Sequence, residues 1–159
     1  MNGNGFSNAL TFTVPGPPVA KGRARAFRLG NQVRLHTPEK TARYENLVAM
    51  TAQTAMGDRP LIEGAVAVEI VLFTAIPSSW SQKKRSAALK GVIRPTTKPD
   101  CSNVLKAIED GMNGIVFVDD KQITDVRVRK FYGEVPSAAV VVREIHPEPR
   151  LSSLSEVAA

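Results

Sequence analysis

Val66-Ala67-Val68-Glu69-Ile70-Val71-Leu72-Phe73 is the stretch from which the fold is read. Val66, Val68, Ile70 and Leu72 recur every second residue, the period at which strand side chains return to one face. Val71 and Phe73 make the far end apolar on both sides, as expected of a strand with neighbours on either edge. Toward the N-terminus, Leu10, Phe12 and Val14 alternate with Thr11 and Thr13 and stop at Pro15-Gly16-Pro17-Pro18, which predicts a strand with one buried face. Toward the C-terminus, Val126, Val128 and Lys130 alternate with Arg127, Arg129 and Phe131, and Ala138 to Ile145 follows the Val135-Pro136-Ser137 turn. Both stretches predict strands.

Helical patterns fill the gaps. Tyr44, Leu47, Val48, Thr51 and Ala55 recur at helical spacing up to Gly57. With Thr37 as N-cap, Pro38 at the first helical position and Glu39 near the positive end of the dipole, a helix is expected over about residues 38–56. Ser81 is placed to cap a short helix through about Lys90, closed by Gly91. Its Lys83-Lys84-Arg85 start sets cations at the unfavourable end of the dipole, so the run is either a solvated basic face or has a role other than local stability. Pro99 disfavours helix at Lys98, and Asp100 or Ser102 can cap the helix that follows. Val104, Leu105, Ile108 and Met112 form its apolar stripe, and the opposite face gathers Ser102, Asn103, Lys106, Glu109 and Asp110 until Asn113-Gly114 ends it. Before all of these, residues 27–29 and 32–35 flank Gly30-Asn31, a connection suited to a tight hairpin. The expected fold is α+β: one domain over residues 1–146, with a mixed or antiparallel sheet packed against helices, and a frayed tail over 147–159.

Composition narrows the function. A chain of 159 residues with 43% hydrophobic content builds one ordinary core. A formal charge of +6 and a pI near 9.8 favour an anionic partner, nucleic acid foremost. Cys101 is the only cysteine, which excludes an intrachain disulfide and a cysteine zinc cage and suits an intracellular, cytoplasmic setting. No apolar run approaches the ~20 residues of a spanning helix, and Met1-Asn2-Gly3-Asn4-Gly5 lacks a signal peptide's charged and apolar regions, so no membrane role is expected. His36 and His146 show no ligand spacing, and Cys101 has no visible histidine partner.

Chemistry concentrates between Lys98 and Asp120. Lys98-Pro99-Asp100-Cys101-Ser102-Asn103 is followed by Lys106 and then by Asp119-Asp120 beside a strand. Taken singly, Asp100 serves equally as an N-cap, Asp119-Asp120-Lys121 as a polar turn and Lys106 as a surface lysine. Together they bring acids from separate elements near a lysine, the set a metal-dependent phosphodiesterase needs to hold a hard cation and offset charge on a phosphate under attack. Lys21, Arg23, Arg25, Lys83, Lys84 and Lys98 are the candidates for phosphate contacts.

At these residues the sequence resembles the RusA family of Holliday-junction resolvases, small endodeoxyribonucleases of bacteria and their phages. Val14-Pro15-Gly16-Pro17-Pro18 with Lys21-Gly22-Arg23 is similar to the family's opening, and Pro77-Ser78-Ser79-Trp80-Ser81 with Lys83-Lys84 to its middle signature. Lys98-Pro99-Asp100 through Asp120-Lys121-Gln122 is similar to its active-site segment, and the likeness runs over roughly residues 10–145. The resemblance implies a homodimer of an α+β fold that binds branched DNA, specifically four-way junctions, and makes paired symmetric cuts with Mg²⁺, or Mn²⁺ in its place. It implies that Asp100 and Asp120 bind metal and that Lys106 is the catalytic lysine. Where the family usually carries a third aspartate, this chain has Ser102, a weaker and neutral ligand. Three readings follow: Asp119, Glu109 or Asp110 supplies the lost charge; Ser102 binds metal through water; or the chain binds junctions and cuts poorly. Rival functions are a DNA-binding module without catalysis, a nuclease for flaps, forks or RNA, and a basic structural protein.

Overall fold

The computed structural model describes residues 9–146. In chain order these form strands β1 (Leu10–Pro15), β2 (Arg25–Leu29) and β3 (Gln32–His36), helix α1 (Glu39–Met56), strand β4 (Val66–Ala75), helices α2 (Gln82–Leu89) and α3 (Cys101–Met112), a 3₁₀ turn (Asp120–Gln122), and strands β5 (Ile123–Gly133) and β6 (Ser137–Glu144). The fold class is α+β, as expected. One four-stranded sheet runs in the order β1-β6-β4-β5, and β2-β3 is a separate hairpin. β4 is central, antiparallel to β6 and parallel to β5, so Ile70 lies between Val140 and Val128. A parallel pair needs a crossover. The one between β4 and β5 carries α2, α3 and the 3₁₀ turn, and through them most of the candidate site.

The alternation in the sequence becomes the core. Leu10, Phe12 and Val14 of β1, Val66, Val68, Ile70 and Leu72 of β4, and Ala138, Val140 and Val142 of β6 are buried on one sheet face. Val48 and Ala52 of α1 and Val104, Ala107, Ile108 and Met112 of α3 cover that face. α1 and α3 approach closely because position 111 carries no side chain: a Cβ there would lie 2.6 Å from the Val48 Cβ and 2.9 Å from the Glu45 carbonyl oxygen. Glu45 of α1 and Asp110 of α3 thereby come within reach of one lysine, Lys21.

Two capping expectations are corrected. Thr37 does not cap α1; the helix begins at Glu39, with Pro38 in the N-cap position and no side-chain cap bond, because Pro38 still holds an extended backbone at ψ 138°. Asp100 occupies the N-cap position of α3 but makes no cap bond either. Ser81 does cap α2, accepting from the Lys84 amide. The tail expected over 147–159 lies outside the described residues.

Candidate active site

The outward face of α3 carries charge where its inward face carries the core. Lys106, Glu109 and Asp110 stand at i, i+3 and i+4, the spacing at which helical side chains meet. The Lys106 ammonium donates to Asp120 Oδ2 at 2.6 Å across 14 residues of chain, and lies 3.2 Å from Asp110 Oδ1 and 3.9 Å from Glu109 Oε2. On its other oxygen Asp110 accepts from the Lys21 ammonium, 89 residues away, and Lys21 lies 3.5 Å from Glu45 Oε1 on α1. Lys21 is held by its backbone too: its amide donates to the Asn103 carbonyl at 2.9 Å, and the Gly22 amide to Thr41 Oγ1 at 2.9 Å.

Four carboxylates and two ammonium groups thus share one cluster, a formal charge of −2 in a chain that is otherwise basic. The hydrogen bond to Asp120, reinforced by Asp110, holds Lys106 above the ordinary lysine range although burial opposes it. The bond to Asp110 does the same for Lys21. Burial pushes Glu109 up from the usual carboxylate value against the pull of Lys106. Partly exposed ion pairs contribute about 0–1 kcal/mol each, so the cluster sets side-chain geometry more than fold stability.

Asp120 owes its aim to its neighbours. Asp119 Oδ1 accepts from the Lys121 amide at 3.0 Å, and Gln122 Oε1 accepts from the Asp119 amide at 2.8 Å, closing a reciprocal cap on the 3₁₀ turn. Gln122 Nε2 then donates to the carbonyls of Ile62 and Gly64 at 2.8 and 2.9 Å, tying the turn to the segment before β4. Bonding to the Lys121 amide holds the Asp119 carboxyl below its usual range. Asp119, a metal candidate in the sequence, therefore has its carboxylate engaged in the turn.

At the start of α3 the surroundings are sparser. Asp100 Oδ2 accepts only from the Asn103 side-chain amide at 3.1 Å, and among the described residues Asp100 makes no ion pair. It lines a cleft of about 410 Å³ with Pro18, Lys40, Lys98 and Asn103. Ser102 is exposed on the helical face that bears Lys106 one turn later. Lys130 of β5 holds the approach, donating to the carbonyls of Thr97 at 2.6 Å and Pro99 at 3.0 Å. The structure thus brings Lys106 and Asp120 together directly, and shows no contact between either of them and Asp100.

Among the phosphate candidates, Arg23 is exposed on the approach to the hairpin, Arg25 at its first strand position, and Lys83 on α2. Lys84 sits 3.9 Å over the Trp80 ring, which meets Tyr132 edge-on. Lys21 belongs to the cluster and is not a free surface cation. Sequence reading missed Lys130, the role of Gln122 and the link from Lys21 to Asp110. Only the Lys21-Gly22-Arg23 motif pointed near that link.

Residues 15–143 match the family model described as endodeoxyribonuclease RusA. The chain belongs to the RusA endodeoxyribonuclease family. It is also 36% identical over 140 residues to the uncharacterized protein YqaN of Bacillus subtilis, an alignment covering 87% of this chain and 98% of YqaN. For a RusA-family chain the question is whether the donors suit a divalent ion. Among the described residues no three Asp, Glu, His or Cys side chains form a ready metal cage. Mg²⁺ does not need one, since it is bound through one or two carboxylates and completed by water and phosphate oxygens. Asp100, whose carboxylate meets only the Asn103 amide, and Asp120, which offers Oδ2 to Lys106, are donors of the kind such a partly hydrated ion takes. No helix among the described residues is long and apolar enough to cross a membrane.

Proposed function

We propose that the chain is a structure-specific endodeoxyribonuclease that resolves four-way DNA junctions by paired, symmetric phosphodiester hydrolysis, acting as a homodimer with Mg²⁺ or, in its place, Mn²⁺. The observation that carries this reading is the 2.6 Å bond between Lys106 and Asp120, the lysine and one of the acids that the resemblance singles out, which meet from separate elements. Asp100 and Asp120 are the carboxylates that would hold the ion, with Ser102 as a neutral or water-mediated donor. When bound, the ion supplies Lewis acidity to the phosphate and lowers the pKa of the attacking water.

The remaining work falls to side chains. Lys106, cationic at neutral pH, donates to a phosphate oxygen as negative charge develops there; removing a preorganised donor of this kind costs on the order of 10²–10³ in rate. Asp110 holds Lys106 from one side, and is itself held by Lys21, so the ammonium reaches the phosphate already oriented. Lys40 and Lys98 around the Asp100 cleft give the DNA backbone cationic neighbours.

A second reading is favoured by one observation: Ser102, a neutral hydroxyl, stands where the resemblance leads one to expect an acid. On that reading the chain binds branched DNA and cuts weakly or not at all. A labelled four-way junction, its linear duplex counterpart and an RNA hairpin, incubated through a Mg²⁺ titration, separate the two. Paired nicks in the junction that appear only with the ion support resolution. A junction retarded on gels yet uncut at every concentration supports the binder, and equal cutting of duplex or RNA removes junction specificity.

A further inference from the structure

The β2–β3 hairpin stands apart from everything around it. Every residue from Arg23 to His36 is exposed, on both faces of the ribbon, and the hairpin has no extensive packing on another strand or helix among the described residues. A two-stranded hairpin alone in water is marginally stable, so an uncovered one invites a partner. Its exposed side chains are of two kinds. Phe27, Leu29, Val33 and Leu35 are 47%, 60%, 69% and 75% exposed. Arg25, Arg28 and Arg34 are interleaved with them, and residues 21–38 contain no acid.

Register places both kinds on each face. Arg25, Phe27, Leu29, Gln32, Arg34 and His36 share one face, since Phe27 pairs with Arg34 and Leu29 with Gln32. Ala26, Arg28, Val33 and Leu35 share the other. Leu29 and Val33 lie close to the Gly30-Asn31 turn, where Gly30 takes φ 62° and lets the chain reverse tightly. The root of the hairpin is anchored in the candidate active site. Lys21 is bonded to Asp110, and Gly22 has no room for a side chain, because a Cβ there would lie 2.8 Å from Pro38 Cγ.

We propose that this hairpin is a DNA-branch reader: its arginines take phosphates, and its tip, with Leu29 backed by Phe27 on one face and Val33 on the other, wedges between bases unstacked at the branch point. The proposal rests on the junction-nuclease reading and deepens it. The charge selects the occupant. An acid-free ribbon with three arginines among its apolar groups suits a polyanion that also offers exposed base faces, and repels a second copy of the same ribbon. Two-stranded ribbons fit a groove, and apolar side chains wedged between base steps are a known way to hold distorted DNA. Because the root is bonded to the group that holds Lys106, DNA seated on the ribbon is led to the reactive centre.

The test uses the full chain without divalent metal and a four-way junction with 2-aminopurine at the branch, beside the matched linear duplex. The wild type is expected to brighten the branch fluorophore and to prefer the junction. Leu29→Ser with Val33→Ser, both at exposed sites that support no core, is expected to weaken junction binding about tenfold, abolish the brightening and leave duplex binding unchanged. Arg28→Ala with Arg34→Ala is expected to weaken both DNAs alike and to reduce the salt slope by about two. Phe27→Ala guards against compensation at the tip and is expected to reduce the brightening by itself. Wild-type junction binding that none of these variants alters would overturn the hairpin proposal alone. A change in oligomeric state on sedimentation, with DNA binding intact, would assign the apolar tip to a second copy and overturn it equally. Failure of the wild type to bind any DNA would instead bring down the junction-nuclease reading, and this proposal with it.

Discussion

The two ends of α3 differ in how their acids are satisfied. At the start, Asp100 meets one neutral amide, Asn103, and Ser102 beside it is exposed and uncharged. Toward the end, Glu109 and Asp110 share Lys106 with Asp120, and Asp110 also holds Lys21. On the proposed nuclease reading the crowded end is preorganised: its ammonium is aimed before any substrate arrives, which is where electrostatic catalysis gains most. The sparse end has coordinating capacity left over. On that reading, the far end supplies an oriented ammonium together with one ion-holding carboxylate, Asp120, and the near end supplies the other, Asp100, with room for water and phosphate beside it.

The largest expected effect breaks the crowded end. Lys106→Ala should slow junction cleavage by on the order of 10²-fold or more while junction affinity changes little, because a donor to developing charge acts in the transition state. Single-turnover cleavage and gel-shift titration measure the two quantities, and an unchanged rate removes Lys106 from the site. A smaller effect tests the support. Asp110→Asn keeps the shape but drops the charge that holds both lysines, and should cost about tenfold in rate, in the range seen when the outer partner of a reactive group is removed.

The sparse end should respond in the opposite direction. Ser102→Asp adds a carboxylate one turn from Lys106 and two residues from Asp100, and should lower the Mg²⁺ concentration for half-maximal cutting severalfold, since an anionic oxygen is the better ligand for a hard cation. A Mg²⁺ titration of cleavage reads this directly, and an unchanged midpoint would argue that position 102 faces no ion.

The smallest effect separates site from core. Tyr44 on α1 is buried with its hydroxyl unpartnered, and burial pushes its phenol up to about 12 from 10.0. Above pH 10 the unfolded chain ionises first, so this contribution to stability is complete below that pH and is lost as pH rises toward 12, by about 2–3 kcal/mol. Tyr44→Phe should leave stability at pH 7 within about 1 kcal/mol, flatten the alkaline loss in urea titrations, and leave cleavage untouched.

Where sequence reading succeeded, burial was the reason. The alternation of Val66, Val68, Ile70 and Leu72 and the stripe of Val104, Ile108 and Met112 are direct records of which side chains face the core. Lys106 and Asp120 were legible as candidates because a lysine and acids cluster in one segment of a basic chain. The link from Lys21 to Asp110 left no such record: it depends on where the loop before β2 is pinned, by the Lys21 amide on the Asn103 carbonyl and the Gly22 amide on Thr41, long-range contacts that no local pattern carries. Asp119 and Asp120 look alike in sequence, and only the reciprocal cap with Gln122 separates the turn-builder from the group that meets Lys106. Thr37 was misread because a favoured capping residue was placed one position too early against Pro38.

The most direct test of the central claim is a double-mutant cycle on single-turnover cleavage of a four-way junction, comparing Lys106→Ala, Asp120→Asn and the two combined. If the pair acts as one catalytic unit, the combined variant should be about as slow as the slower single variant. Losses that multiply would show Lys106 and Asp120 acting independently, and would contradict the account.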